Sequence, residues 1–164
     1  MRYMEIGKTL VDENVDSAFD VILRWELPDP DSGSSWQWDA ASAPPRAHIY
    51  SGVRPRWLNF RTGILRWDEE IRAKREIYEI YFEQTEGDFA DFSGKWVLRQ
   101  VGDHVHVHYE ITFDFGIESM AGILDPIAES AVRDVIGRAI GGMFGRVLEV
   151  TPAATSTTSE KSTI

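Results

Sequence analysis

Three features predict an α+β domain in which an antiparallel sheet closes its concave face on one long C-terminal helix. From Arg46 onward, six strand-like segments follow one another with short turn signals between them. After them comes a broad apolar stripe at helical period, formed by Val132, Val135, Ile136, Ala139, Ile140, Met143, Phe144 and Val147. Ahead of them stand one strand and one short amphipathic helix. A helix with such a stripe must bury it, and the sheet is the surface the chain offers. At 164 residues the chain makes one ordinary domain, able to bury roughly 70% of its unfolded surface.

Each element has a local reason. Tyr3 to Val11 alternates as a strand, with Met4, Ile6 and Leu10 on one face. Val15, Ala18, Phe19 and Ile22 then fall at i, i+3, i+4 and i+7, with Asn14 or Asp12 placed to cap the helix. Pro28, Pro30 and the run DSGSS end that helix in a loop, and residues 36–45 also read as loop. The strands are AHIYS, RPRWLNF, ILRWDEEI, EIYEIYFEQ, FSGKWVLRQ and HVHVHYEITFDF. Thr62-Gly63, Glu86-Gly87-Asp88 and Gly102-Asp103 mark turns, and Pro55 suits an edge or a bulge.

Asp125-Pro126 reads as an N-cap followed by proline at the first helical position. Gly137, Gly141 and Gly145 lie four apart beside the apolar stripe, at about 1 kcal/mol each relative to alanine. They suit close packing, a subunit contact or a movable gate. Residues 151–164 are Ser, Thr and Ala rich and cannot offset their ordering entropy, so a disordered tail follows a domain of residues 1–150.

Composition excludes several functions. With 27 acidic and 17 basic side chains, the net charge of −10 disfavours nucleic-acid backbones and anionic membranes. The absence of cysteine removes zinc ribbons, iron–sulfur ligation, disulfides and cysteine nucleophiles. No stretch approaches the roughly 18–20 apolar residues of a membrane span, and the charged N-terminus does not read as a signal peptide. The expectation is a cytoplasmic protein. Six tryptophans, eight phenylalanines and five tyrosines suit either a large core or the lining of a cavity for flat, greasy ligands.

Side-chain alternation then assigns faces. Val105, Val107, Tyr109, Ile111 and Phe113 share the apolar face of one strand, which places His104, His106 and His108 in a row on the other. In-line neighbours on one strand face stand about 7 Å apart, too far for three to meet one zinc, so no metal site is assigned. A two-residue turn at Thr62-Gly63 sets Leu58 opposite Trp67 and Arg56 opposite Glu69. That register carries Arg56 and Glu69 inward with Leu58, Phe60, Leu65 and Trp67. An inward ion pair is costly to bury unless it is well paired or faces a wet cavity, and a rim salt bridge is the competing reading. Tyr78, Ile80, Phe82 and Gln84 share the more apolar face of the next strand, and Trp96 and Leu98 that of the one after, where Gly94 leaves room for a neighbour. Together these residues make either an aromatic chamber with a few polar groups or a solid aromatic core.

The stretches GILRWDEE, FEQTEGDFADFSGKWVLRQ, VHYEITFDFGI and ILDPIAESAVRDVIGRAI, in that order, resemble the START-like helix-grip superfamily. They look most like its polyketide cyclase/aromatase and coenzyme Q-binding-like branch, from about Arg56 to Val147. The resemblance implies a helix-grip fold, a curved antiparallel β-sheet wrapped around a long C-terminal α-helix with an internal cavity. Carried over position by position, it implicates Trp67 and Glu69 of LRWDE, Gln84 of FEQ, Trp96 of GKW and Tyr109 of VHYEITF. Two departures stand out. Residues 28–45 do not read like the family's second short helix. Asp134-Val135 follows Arg133 where relatives often place an asparagine.

The leading expectation is a polyketide cyclase, with aromatase or dehydratase character, that needs no cofactor. Glu69 would remove an activated α-proton, Arg56 would stabilise the enolate or alkoxide, and Tyr109 would donate a proton. Trp67, Trp96, Tyr78, Phe82 and Gln84 would shape the pocket and hold the substrate. Its partners would be a hydrophobic polyketide-like substrate, polyketide synthase components and, through the glycine line, a second copy of the chain. The alternative is a non-catalytic carrier of a quinone or other hydrophobic molecule. Association with ribosomes ranks last, because the charge opposes it.

Overall fold

A computed structural model describes residues 1–26, 49–60 and 63–150. The expected loop at 28–45 and the expected tail at 151–164 lie outside the described residues. β1 (Arg2–Leu10) leads into α1 (Val15–Glu26). β2 (Ile49–Phe60), β3 (Gly63–Lys74), β4 (Glu79–Gly87), β5 (Asp91–Val101) and β6 (His104–Asp114) follow. The described chain closes with α2 (Ala121–Met143) and the short β7 (Val147–Val150).

The strands form one antiparallel sheet in the order β2-β3-β4-β5-β6-β1-β7. α1 packs on β5 and β6, whereas α2 touches both β1 and β2, which have four strands between them. One helix reaches both only because the sheet curls around it. This is the predicted helix-grip fold. No helix among the described residues is long and apolar enough to cross a membrane.

Most elements follow the pattern read from sequence. Asn14 caps α1, its Oδ1 accepting from the N–H groups of Asp16 (3.0 Å) and Ser17 (3.2 Å). β6 alternates as expected, with Val105, Val107, Tyr109, Ile111 and Phe113 buried. The histidines on its other face have local partners: His104 Nδ1 accepts from Asp12 N–H (3.2 Å), and His108 Nε2 lies 2.9 Å from Glu110. Gly94 sits under the Phe82 ring, where a Cβ would meet the ring at 2.7 Å and Glu110 O at 2.2 Å.

Four local expectations are corrected. AHIYS and RPRWLNF are not separate strands: Ile49–Phe60 is continuous, and Pro55 lies within it because β2 is the edge of the sheet. The β2–β3 hairpin closes one residue earlier than expected, which slips the pairing by two, with Phe60 opposite Gly63, Leu58 opposite Leu65 and Arg56 opposite Trp67. Arg54, not Arg56, stands across from Glu69. A shift of two preserves side-chain parity, so Arg56 and Glu69 keep the face assigned to them. α2 starts at Ala121, with Pro126 inside it and Asp125 buried rather than capping. The helix thus begins a turn before the expected cap, and the proline removes one ladder N–H while keeping a helical φ. At the other end the helix stops at Met143, so Gly145 lies beyond it and Val147 belongs to β7 beside β1.

Candidate functional site

The concave face brings the ion pair and the aromatic groups together. The register of β3 and β4 shifts at Asp68/Glu69, because Thr85 is an extra residue between Gln84 and Glu86. Its Oγ1 donates to Asp68 O (3.3 Å). Beside this bulge Gly87 passes so close to β3 that a Cβ there would stand 2.3 Å from Trp67 Cβ. Trp67 and Glu69 therefore leave β3 on the same inner face, one pleat apart, with backbone packed tightly behind them.

Glu69 is 1% exposed. Trp67 Nε1–H donates to its Oε1 at 3.0 Å, and Arg56 Nε lies 3.7 Å from its Oε2. The Arg56 guanidinium rests 4.6 Å from the centre of the Trp25 ring. A buried carboxylate is thus held by an indole donor and an arginine, and that arginine is covered by a second indole.

These groups line one cavity together with Trp57, Leu58, Phe82, Phe92, Tyr109, Val132, Val135 and Ile136. Its volume is about 50 Å³, taken as the space open to the centre of a water molecule. That is room for roughly three to five waters, so a ring system must part the lining to enter. Trp57 and Val135 are the half-exposed members, which places the mouth between the edge strand β2 and the middle of α2. A wider groove outside shares Arg56, Trp57 and Trp67 with the cavity and gives open access to that rim.

Of the residues expected at the site, Arg56, Glu69, Tyr109, Trp67 and Phe82 meet in this cavity. Phe82 stacks on Tyr109 at 5.7 Å. The other three stand elsewhere. Trp96 is fully buried behind the lining, edge-on to Tyr109 (4.7 Å) and Trp25 (6.0 Å). Tyr78 is not in β4 but in the turn before it, in a left-handed conformation (φ 52°), with its ring against Phe19. Both ends of the Gln84 amide are bonded to the backbone of Phe89, at 2.9 and 3.2 Å, bracing the β4–β5 connection.

Sequence reasoning missed Trp25, Trp57 and Phe92. Trp25 continues the α1 stripe at i+3 from Ile22, and Phe92 shares parity with Gly94, Trp96 and Leu98, so both were within reach. Trp57 has the outward parity of its strand and reaches the cavity only because β2 is an edge.

Residues 53–139 match the family model described as polyketide cyclase / dehydrase and lipid transport, just over half of the chain. No curated protein matches the chain in sequence. Among solved structures, a protein from Thermus thermophilus is similar with a TM-score of 0.64 and 16% identity, covering 87% of this chain and 94% of that one. The 18 kDa protein CC1736 from Caulobacter crescentus gives 0.62 and 15%, covering 87% and 96%. The Zhui aromatase/cyclase from Streptomyces sp. R1128 gives 0.57 and 12%, covering 87% and 93%.

Proposed function

The chain belongs to the polyketide cyclase / dehydrase and lipid transport family, and from that premise we propose that its cavity folds and cyclises a reactive polyketide-type chain by acid/base chemistry. The observation that carries the reading is the inward Arg56–Glu69 pair on an otherwise aromatic wall. Glu69 takes a proton from a carbon flanked by two carbonyls, and Arg56 faces the enolate oxygen that develops. The enolate carbon attacks a second carbonyl of the same chain. Tyr109 gives the new alkoxide its proton and recovers one from Glu69, and loss of water then leads towards an aromatic ring. The Arg56 Nε–Glu69 Oε2 contact of 3.7 Å keeps the two groups as an ion pair on one wall of the cavity, where both can face the same substrate. Trp67 and Phe82 hold the chain in one near-attack geometry and exclude water. The supplier of such a chain would be a polyketide synthase.

Carriage of a quinone or another hydrophobic molecule is the second reading. The family's description includes lipid transport. Glu69 also has both oxygens engaged, as a structural carboxylate would. A synthase reconstituted with and without the protein separates the two. A cyclase converts a mixture of shunt products into one ring pattern. A carrier leaves the profile unchanged and co-purifies with its ligand.

A further inference from the structure

We propose that Arg75 is a positioning residue for the cavity, acting at a distance through Trp25. Arg75 lies in the single 3-10 turn (Arg75–Ile77) that joins β3 to β4, and it is 6% exposed. Its Nη1 donates to Asp16 Oδ1 at 2.9 Å, its Nη2 pairs with Asp20, and its guanidinium lies 5.0 Å from the centre of the Phe19 ring. Asp16, Phe19 and Asp20 are one face of α1, at i, i+3 and i+4. The turn holding the arginine is itself fixed: Tyr78 N–H donates to Arg75 O (3.1 Å), and the Tyr78 ring meets Phe19 edge-on at 5.7 Å.

Surface burial alone does not call for this arrangement. An apolar side chain of similar size would cover the same surface with less desolvation cost. It would also lack direction, whereas ion pairs a turn apart add to the buried stripe of Ala18, Phe19 and Ile22 a constraint on both the rotation and the height of α1. The end of α1 beyond this clamp carries Trp25, five residues past Asp20 and about 7.5 Å along the axis. There the indole covers Arg56, meets Trp96 and forms part of the cavity wall. A rotation released at Arg75 is therefore delivered to the groups around Glu69.

The proposal rests on this cavity being the ligand site and holds for catalysis and carriage alike. Calorimetric titration with 1-naphthol, a flat neutral probe, tests it in wild type, Arg75→Met, Trp25→Leu and the double variant. Each single change weakens binding about fivefold, and the double variant binds no more weakly than Trp25→Leu alone, because the two act in series. Two losses that multiply to about 25-fold overturn the proposal. So does an Arg75→Met protein that melts lower but binds as wild type does. Should Arg75→Met fail to fold, Asp16→Asn removes one ion pair while keeping its shape, and the same cycle is run with it. If wild type does not bind 1-naphthol, the cavity reading falls and takes this proposal with it. If binding and coupling persist while the reconstituted synthase shows no cyclisation, only the catalytic reading falls.

Discussion

Gly87 and Gly137 are the same residue under opposite constraints, and the difference bears on Glu69. A Cβ on Gly87 would collide with Trp67 Cβ (2.3 Å), Trp67 Cα (2.5 Å) and Arg66 O (2.7 Å), which are mostly backbone or close to it and cannot give way cheaply. Gly87→Ala should cost about 1–3 kcal/mol in urea denaturation and displace the indole that donates to Glu69. A Cβ on Gly137 or Gly141 meets nothing within 4 Å. Each alanine there should stabilise the fold by about 0.5–1 kcal/mol, as expected in a helix interior. If the glycines serve close packing against a second copy, the same substitutions will instead weaken that association in sedimentation. The sequence shows the spacing of these glycines, but not that the space beside them is open. That depends on which elements pack there, and no local pattern encodes it.

α2 is held to the sheet by charge as well as by its buried stripe of Ala128, Val132, Ile136 and Ile140. Arg2 reaches Glu129 at 2.8 Å, and Arg133 meets Glu129 at 3.0 Å and Glu5 O at 3.2 Å. Burial pushes the Glu129 carboxyl up, but hydrogen bonds from Arg133 and Arg2 outweigh it and hold the group below the usual carboxylate range. Because the folded value is the lower one, this contact stabilises above the unfolded pKa of about 4.3 and is lost as pH falls through the folded value. Glu129→Gln should therefore lower the stability measured at pH 7, and the gap between the two proteins should close as the pH drops below about 4. The element patterns themselves were legible wherever a period was long: the α1 stripe and the β6 alternation stand as read, and the α2 stripe holds at Val132, Ile136 and Ile140, while Val135 is half-exposed and Val147 belongs to β7. Ends and registers were not. Asp125-Pro126 carries a cap signal, yet the helix already begins at Ala121 and Asp125 is buried within it. The hairpin turn was misplaced by one residue, which slips the pairing by two, and only because that slip is even did Arg56 and Glu69 remain inward.

At the scale of the molecule, the cavity exists because the sheet edge β2 and the helix α2, far apart in the chain, meet over the middle strands. β2 supplies Arg56, β3 Trp67 and Glu69, β4 Phe82, β6 Tyr109, α1 Trp25 and α2 Val132, Val135 and Ile136. Parity within each strand was enough to choose candidates, which is why five of eight converge. It could not tell lining from backing, since Trp96 shares the inward face with Tyr109 but lies under Trp25. Nor could it foresee that Gln84 closes a turn onto Phe89. In the proposed function Arg56 and Glu69 are reacting groups rather than parts of the wall. The most direct measurement is the product profile of a reconstituted synthase with Glu69→Gln and with Arg56→Met, each variant first shown to bind 1-naphthol. If they react, binding stays within a few-fold of wild type while cyclised product falls by about 10²-fold or more and shunt products accumulate. Unchanged cyclised product from variants that bind the probe would contradict this reading and leave the pair a structural brace in a carrier.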